Sequence, residues 1–167
     1  ENIQENELAD LIYNYGDERN SRRIAKKIVE YRKNTKINTT LELATIVKSC
    51  FPSKYYKKHP ATKTFQAIRI YLNNEIEELC AGLNNASQYL SKGGRLCIVS
   101  FHSIEDRLIK NFFQFEKDNL DSKRNLFDKY RNKVIKPQNE EIEINPRSRS
   151  AKLRFATRSE NKFSSIK

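Results

Sequence analysis

The chain has 167 residues, 37% of them hydrophobic, and a formal net charge of +11. That length suits one ordinary domain or two small units, and no run approaches the ~18 consecutive apolar residues of a membrane span. The charge excess points to a polyanionic partner, nucleic acid first, or else to a solvated lysine-rich surface.

In chain order, Leu8, Leu11, Ile12 and Tyr15 recur at helical spacing, and Gly16 suits the residue after the helix end. Asp17 can cap a second helix whose buried stripe is Ile24, Ile28 and Tyr31, with Arg19, Arg22, Arg23, Lys26 and Lys27 crowding the rest. Thr39 and Glu42 form a capping box for a third helix carrying Leu41, Ala44 and Val47, ended by Pro52. A linker from Phe51 to Pro60 leads to a long helix from Thr62 to about Leu90, with Phe65, Ile68 and Leu72 expected in its core stripe along with Leu79. Gly93-Gly94 then opens the run Arg95 to Phe101. Its near-continuous apolar character predicts a core strand of a parallel sheet, covered on both faces. Ile104, Leu108, Phe112 and Phe115 share a face of the following helix. Asp118 to Arg131 reads as a charged excursion, Lys133 to Lys136 as a short strand and Asn139 to Asn145 as an acidic loop. Ala151 to Thr157 reads as a final strand with Leu153 and Phe155 inward, followed by a frayed end.

Cys50, Cys80 and Cys97 lie in apolar patterns without CxxC spacing, which fits buried thiols in a reducing cytoplasm and neither a disulfide framework nor a metal site. The four glycines, Gly16, Gly82, Gly93 and Gly94, form no GxGxxG or phosphate-binding loop. The sequence opens at Glu1 inside a helical pattern, which leads us to expect a segment of a longer protein. The order of elements is that of an α/β fold: the second half of a doubly wound sheet behind a helical module.

Four stretches, GDERNSRRIAKKIVE, HPATKTFQAIRIYLNNEIEEL, GGRLCIVSFHSIEDRLIK and NPRSRSAKLRFATR, together resemble the ribosomal RNA small subunit methyltransferase H family, formerly MraW. The resemblance implies a Rossmann-like S-adenosylmethionine-dependent methyltransferase domain interrupted by an all-α substrate-recognition domain. Residues 1–60 would be the end of that insertion and 61–167 the C-terminal part of the catalytic domain. The implied reaction is methylation of the exocyclic N4 of a cytidine in 16S rRNA, with S-adenosylmethionine as cofactor and the small ribosomal subunit as partner. The family's opening strands, which hold the cofactor, would precede Glu1, so no cofactor residue carries over.

Cytosine N4 is a poor nucleophile, and its methylation depends on alignment more than on a strong base. A base inside a helix is extruded and held by stacking and edge contacts, with cations on its phosphates. His102, Ser103 and Asp106 lie at the carboxyl end of the predicted strand, where α/β sheets place ligands. They border that pocket with Phe101 or His102 as a stacking face; alternatively Ser103 caps the next helix with Asp106 at its third position. Arg19, Arg22, Arg23 and Lys26 could track an RNA backbone or form a solvated face. His59, Lys63 and Arg69, with Thr62 and Thr64, surround a helix start suited either to an anion or to a hinge. Asn145, Arg147, Arg149, Lys152, Arg154 and Arg158 make a basic end that is either an RNA rim or a charged, protected strand edge. The alternative to an enzyme segment is a non-catalytic RNA-binding module using these same faces.

Overall fold

The computed structural model describes residues 3–53, 56, 58–118, 126–127 and 133–160. Helices and a small sheet form two compact units, Glu1–Glu75 and Ile76–Lys167, consistent with the α/β class. The division falls later than the boundary expected at 60/61, because the helix after the linker packs into the first unit. Among the described residues no helix is long and apolar enough to cross a membrane.

The first unit holds α1 (Glu5–Gly16), α2 (Ser21–Asn34), α3 (Thr40–Lys48) and α4 (Thr62–Leu72). Leu8, Leu11 and Ile12 of α1 meet Ile24, Ala25 and Ile28 of α2, with Ile46, Val47 and Cys50 behind α3 and Ala61 and Ala67 from α4. Thr39 and Glu42 form the reciprocal cap that their spacing predicts. The first turn differs from expectation. Asp17, not Gly16, takes the left-handed conformation (φ 50°), and Asn20 rather than Asp17 stands at the start of α2. Gly16 is instead required for close approach: a β-carbon there would lie 2.7 Å from the Lys63 carbonyl oxygen and 3.4 Å from the Ala67 methyl.

The long helix expected from Thr62 to Leu90 is two. Asn74 adopts φ 50°, which ends α4, and α5 (Glu75–Tyr89) follows as a separate helix. The Arg69 guanidinium spans the break to the Glu75 carboxylate at 2.7 and 2.9 Å. The buried stripe of α4 is Thr64, Ala67 and Ile70; Leu72, expected in the core, is 69% exposed.

In the second unit, β1 (Arg95–Ser100) pairs antiparallel with β2 (Lys152–Thr157), Ile98 opposite Arg154. The predicted parallel sheet is absent among the described residues. Isolated bridges join Ile135 to Leu153, which is what the expected strand at 133–136 amounts to, and Phe127 to Arg158. Directly opposed residues share a face, so Leu96, Ile98, Arg154 and Ala156 lie together. This face meets α5 and α6 (Ser103–Asp118) in a core of Leu83, Ile109, Phe113, Leu126, Phe127 and Ala156. Each large side chain buried there contributes about 2–3 kcal/mol of transfer free energy, and Phe113 and Phe127 pack edge to face at 5.2 Å.

Several expectations for this unit need correction. Leu153 and Phe155 point to the opposite face and are only half-buried, while Arg154 and Ala156 are buried. That opposite face carries Arg95, Cys97 and Val99, all exposed, so β1 is covered on one side and Cys97 is not a buried thiol. Cys50 is buried, and burial pushes its thiol up against the lowering influence of Arg23. The acidic stretch after Pro137 is a short helix, α7 (Asn139–Ile144), followed by a 3-10 turn over Pro146–Ser150. Within the supposed charged excursion Leu126 and Phe127 are core residues; residues 119–125 and 128–132, and the end expected to fray, 161–167, lie outside the described residues.

Two glycine substitutions separate packing from backbone freedom. Gly16→Ala must push α1 and α4 apart and should cost about 1–3 kcal/mol. Gly82→Ala, mid-helix with nothing within 4 Å of the new methyl, should stabilise by about 0.5–1 kcal/mol. Urea unfolding followed by far-ultraviolet circular dichroism checks both signs.

Candidate functional site

Beyond Ser100 the chain turns through Phe101 and His102 into α6. His102, not Ser103, is the capping residue. Its carbonyl accepts the Asp106 N–H at 3.2 Å, and its ring Nδ1 accepts the Glu105 N–H at 3.3 Å. Glu105 reciprocates: its Oε2 accepts the N–H groups of Phe101 at 2.8 Å and His102 at 3.4 Å. This is a capping box in which imidazole replaces the usual hydroxyl.

The arrangement fixes the ring. With Nδ1 accepting, the proton of the neutral imidazole sits on Nε2. Nε2 is buried and lies 3.2 Å from Glu105 Oε1, with no well-directed hydrogen bond, so that contact is electrostatic. The His102 side chain is only 10% exposed, whereas the neighbouring Phe101 is 55% exposed. Burial opposes ionisation of Glu105. The His102 imidazole beside it and the hydrogen bonds from the Phe101 and His102 N–H groups outweigh it and hold the carboxyl below its usual range.

Asp106, one residue on, faces the sheet. Its carboxylate takes the Arg154 guanidinium at 2.7 and 3.2 Å and the Lys152 ammonium at 3.0 Å. Burial again raises its pKa, but the two cations prevail and the net shift is downward. The pairing joins the first turn of α6 to β2. It also corrects the reading of the basic end. Arg154 and Lys152 are not a rim offered to RNA, because one is buried and both are bound to Asp106. Arg158 is buried too and donates to the Leu126 carbonyl at 3.0 Å. Arg147 and Arg149 remain exposed on the 3-10 turn. Ser103 is the first residue of α6 and exposed.

The other candidates divide. Arg19, Arg22, Arg23 and Lys26 are all exposed along α2 and the turn before it; Arg22 pairs with Asp10 at 2.8 Å and Lys26 approaches Glu30 at 4.0 Å. The group at the start of α4 does not converge. Lys63 donates to the Asp17 carbonyl at 2.6 Å, Arg69 is bound to Glu75, Thr64 is buried while Thr62 is exposed, and the exposed His59 accepts the Ala61 N–H at 3.2 Å. These are contacts within the first unit rather than an anion cradle.

The chain matches the model of the MraW methylase family over residues 1–159. It belongs to that family. Proteins named ribosomal RNA small subunit methyltransferase H from Rickettsia canadensis (strain McKiel) and Rickettsia bellii (strain RML369-C) are each 51% identical to it, over 166 and 168 residues, covering 92% of this chain and 54% of the relative. A third, from Wolbachia sp. subsp. Brugia malayi (strain TRS), is 51% identical over 158 residues, covering 93% of this chain and 47% of its own. The chain therefore spans about half the length of the curated relatives it matches.

Within this MraW-family chain, the residue that sequence reasoning overlooked is Glu105. Its signal was the His-x-x-Glu spacing, which follows the capping-box pattern once histidine is admitted as a cap. The role of Arg154 was missed as well: with Leu153 and Phe155 taken as the inward residues, alternation put Arg154 on the outer face, whereas it is buried beside Ala156.

Asp106→Asn should cost about 3 kcal/mol, because it strands a buried guanidinium. The sign with pH follows from the lowered pKa. The stability Asp106 contributes is complete above the unfolded value of about 3.9 and is lost as pH falls through the folded one. The variant should therefore be less stable at neutral pH and show a flatter acid limb, the lowered Glu105 carboxyl leaving a residual slope. Hydrogen exchange of the β2 amides between pH 7 and acid reads both effects.

Proposed function

We propose that the complete protein methylates the exocyclic N4 of a cytidine in 16S rRNA of the small ribosomal subunit, with S-adenosylmethionine as donor. This chain supplies RNA-contacting surfaces and one wall of the reaction site. The reading is carried by one observation: in a chain of the MraW methylase family, a buried, tautomer-fixed histidine stands at the carboxyl end of a strand beside an exposed phenylalanine.

The cofactor does not fit the residues present. A glycine-rich turn and a ribose-binding acid are its usual seat. Here Gly16 is packed on Lys63, a β-carbon on Gly94 would strike Leu90, and both acids at the end of β1 are occupied by Phe101 and His102 or by Arg154 and Lys152. In our reading the donor is held by the part of the longer relatives that this chain does not span.

The chain's own groups do the following. Phe101 offers a flat face on which an extruded base stacks. His102 holds the turn that carries Phe101: its Nδ1 accepts the Glu105 N–H and its buried Nε2 lies beside the Glu105 carboxylate, so the ring positions the stacking face and does not itself reach the substrate. It is no base for the N4 proton, because its acceptor nitrogen is already engaged by Glu105. Arg147 and Arg149, and in the helical unit Arg19, Arg23 and Lys26, neutralise phosphates. The half-length coverage keeps a second reading in view: an RNA-binding module without catalysis.

The test joins the unspanned part of the Rickettsia canadensis relative to these 167 residues. The chimera should transfer labelled methyl from S-adenosylmethionine to small ribosomal subunits. Phe101→Ala and His102→Ala, which misplace the base, should each lower kcat by about 100-fold. Calorimetry should find no binding of S-adenosylmethionine to the 167 residues alone. Tight binding there would refute the division of labour, and an inactive chimera that still bound RNA would favour the module.

A further inference from the structure

We propose that the helical unit carries a second RNA contact, a cleft that receives one unpaired nucleotide. The inference rests on the rRNA reading above and adds a binding site to it. The cleft, of about 1020 Å³, opens between α1, α2, the segment 34–37 that follows α2, and the last turn of α4. Its floor is apolar: Leu11 and Ile28 from the core, with Ile68 beside them. Tyr71 stands at its edge, 52% exposed. Lys33 and Lys36 line its rim and are exposed. The volume sits at the upper end of small-ligand pockets, about 300–1,000 Å³, which leaves room for a base and its sugar.

Two features select the occupant. The first is charge. Arg32, whose guanidinium also donates to the neutral Ile3 carbonyl, Lys33 and Lys36 line the cleft, and among the described lining residues Glu7 is the one acid, so an anion is favoured. The second is the approach. Arg23, Lys26 and Lys33 recur at helical spacing along the exposed side of α2, a helix about 21 Å long, with the single acid Glu30 between them near Lys26, so a side with net positive charge ends at an apolar recess. A flat base can leave water there by stacking on Tyr71, while its phosphates stay with the lysines. An acidic amphipathic peptide would instead need an elongated groove with successive apolar anchors. Here the exposed cations Arg23 and Lys26 lie along α2 outside the cleft lining.

The experiment measures binding of a fluorescein-labelled oligouridine to the 167-residue chain by anisotropy. Tyr71→Ala should weaken binding about tenfold, within the ~1–3 kcal/mol per stacked base. Lys33→Glu and Lys36→Glu should each reduce the slope of log affinity against log salt by about 0.7 or more. Tyr13→Ala, equally exposed but outside the cleft, should leave affinity unchanged. An oligomer carrying 4-thiouridine should crosslink on irradiation to the peptide containing Tyr71. Undiminished binding by Tyr71→Ala with crosslinks elsewhere overturns the cleft while leaving the rRNA reading intact. Failure of the chimera to methylate small subunits overturns the reading instead. Tighter binding of duplex than of single-stranded RNA, or binding only of an acidic peptide, also overturns the cleft.

Discussion

A carboxylate taken out of water must be met by charge or it will not stay ionised. In the second unit that constraint falls on Asp106, and its answer organises the unit. Asp106 sits in the first turn of α6; its cations come from β2, almost fifty residues later in the chain. Once the ion pair forms, the N-terminus of α6 is pinned to the sheet and β2 is set in register against β1. The buried guanidinium of Arg154 then lies on the same face as Ala156 and Ile98. The seat of His102 depends on this. The ring is clamped by Glu105 from within α6, so its position relative to the end of β1 is only as firm as the hold of α6 on the sheet.

Much of the helical unit was legible because its signals are local. The Thr39–Glu42 cap and the apolar spacing of Leu8, Leu11 and Ile12 in α1 and of Ile24 and Ile28 in α2 each lie within a few residues and appear where the pattern puts them, although Tyr31 and Leu41, expected in the stripes of α2 and α3, are exposed. What failed was set by distant partners. Gly16 reads as a helix stop, but its lack of a side chain is spent on the backbone of Lys63. Leu72 fits a helical stripe, yet it is exposed at the last turn of α4, where the left-handed Asn74 ends the helix. Lys152 and Arg154 read as surface charge because nothing near them in sequence is acidic, and their acid arrives from another element.

The site was legible in place and not in wiring. That His102 would stand at the end of a strand and the head of a helix followed from the apolar run and the polar cluster after it. Which residue would cap the helix did not, because serine is the commoner cap and the sequence offers His102 and Ser103 side by side. The structure decides for His102 through Glu105, one residue before the Asp106 that the serine reading needed. One carboxylate clamps the ring and the next clamps the helix to the sheet. Adjacent residues on a helix point about 100° apart, which is what lets the two acids serve two different directions.

The strand itself was read as covered on both faces, and the physical content of that reading survives its correction. Apolar residues do occupy both sides of β1: Leu96 and Ile98 toward the helices, Val99 and Cys97 away from them, with Leu153 and Phe155 of β2 beside the latter. Only the first side is closed by the described residues. A one-sided strand would show polar residues on its outer face, and β1 shows one, Arg95, at its beginning. The pattern therefore belongs to a strand selected for burial on both sides, and Val99, 53% exposed, is the position where sequence and coverage differ most. Val99 is also three residues before His102, on the strand that leads to it. The open face and the candidate site share one end of one strand, so anything that closed the first would also bound the second.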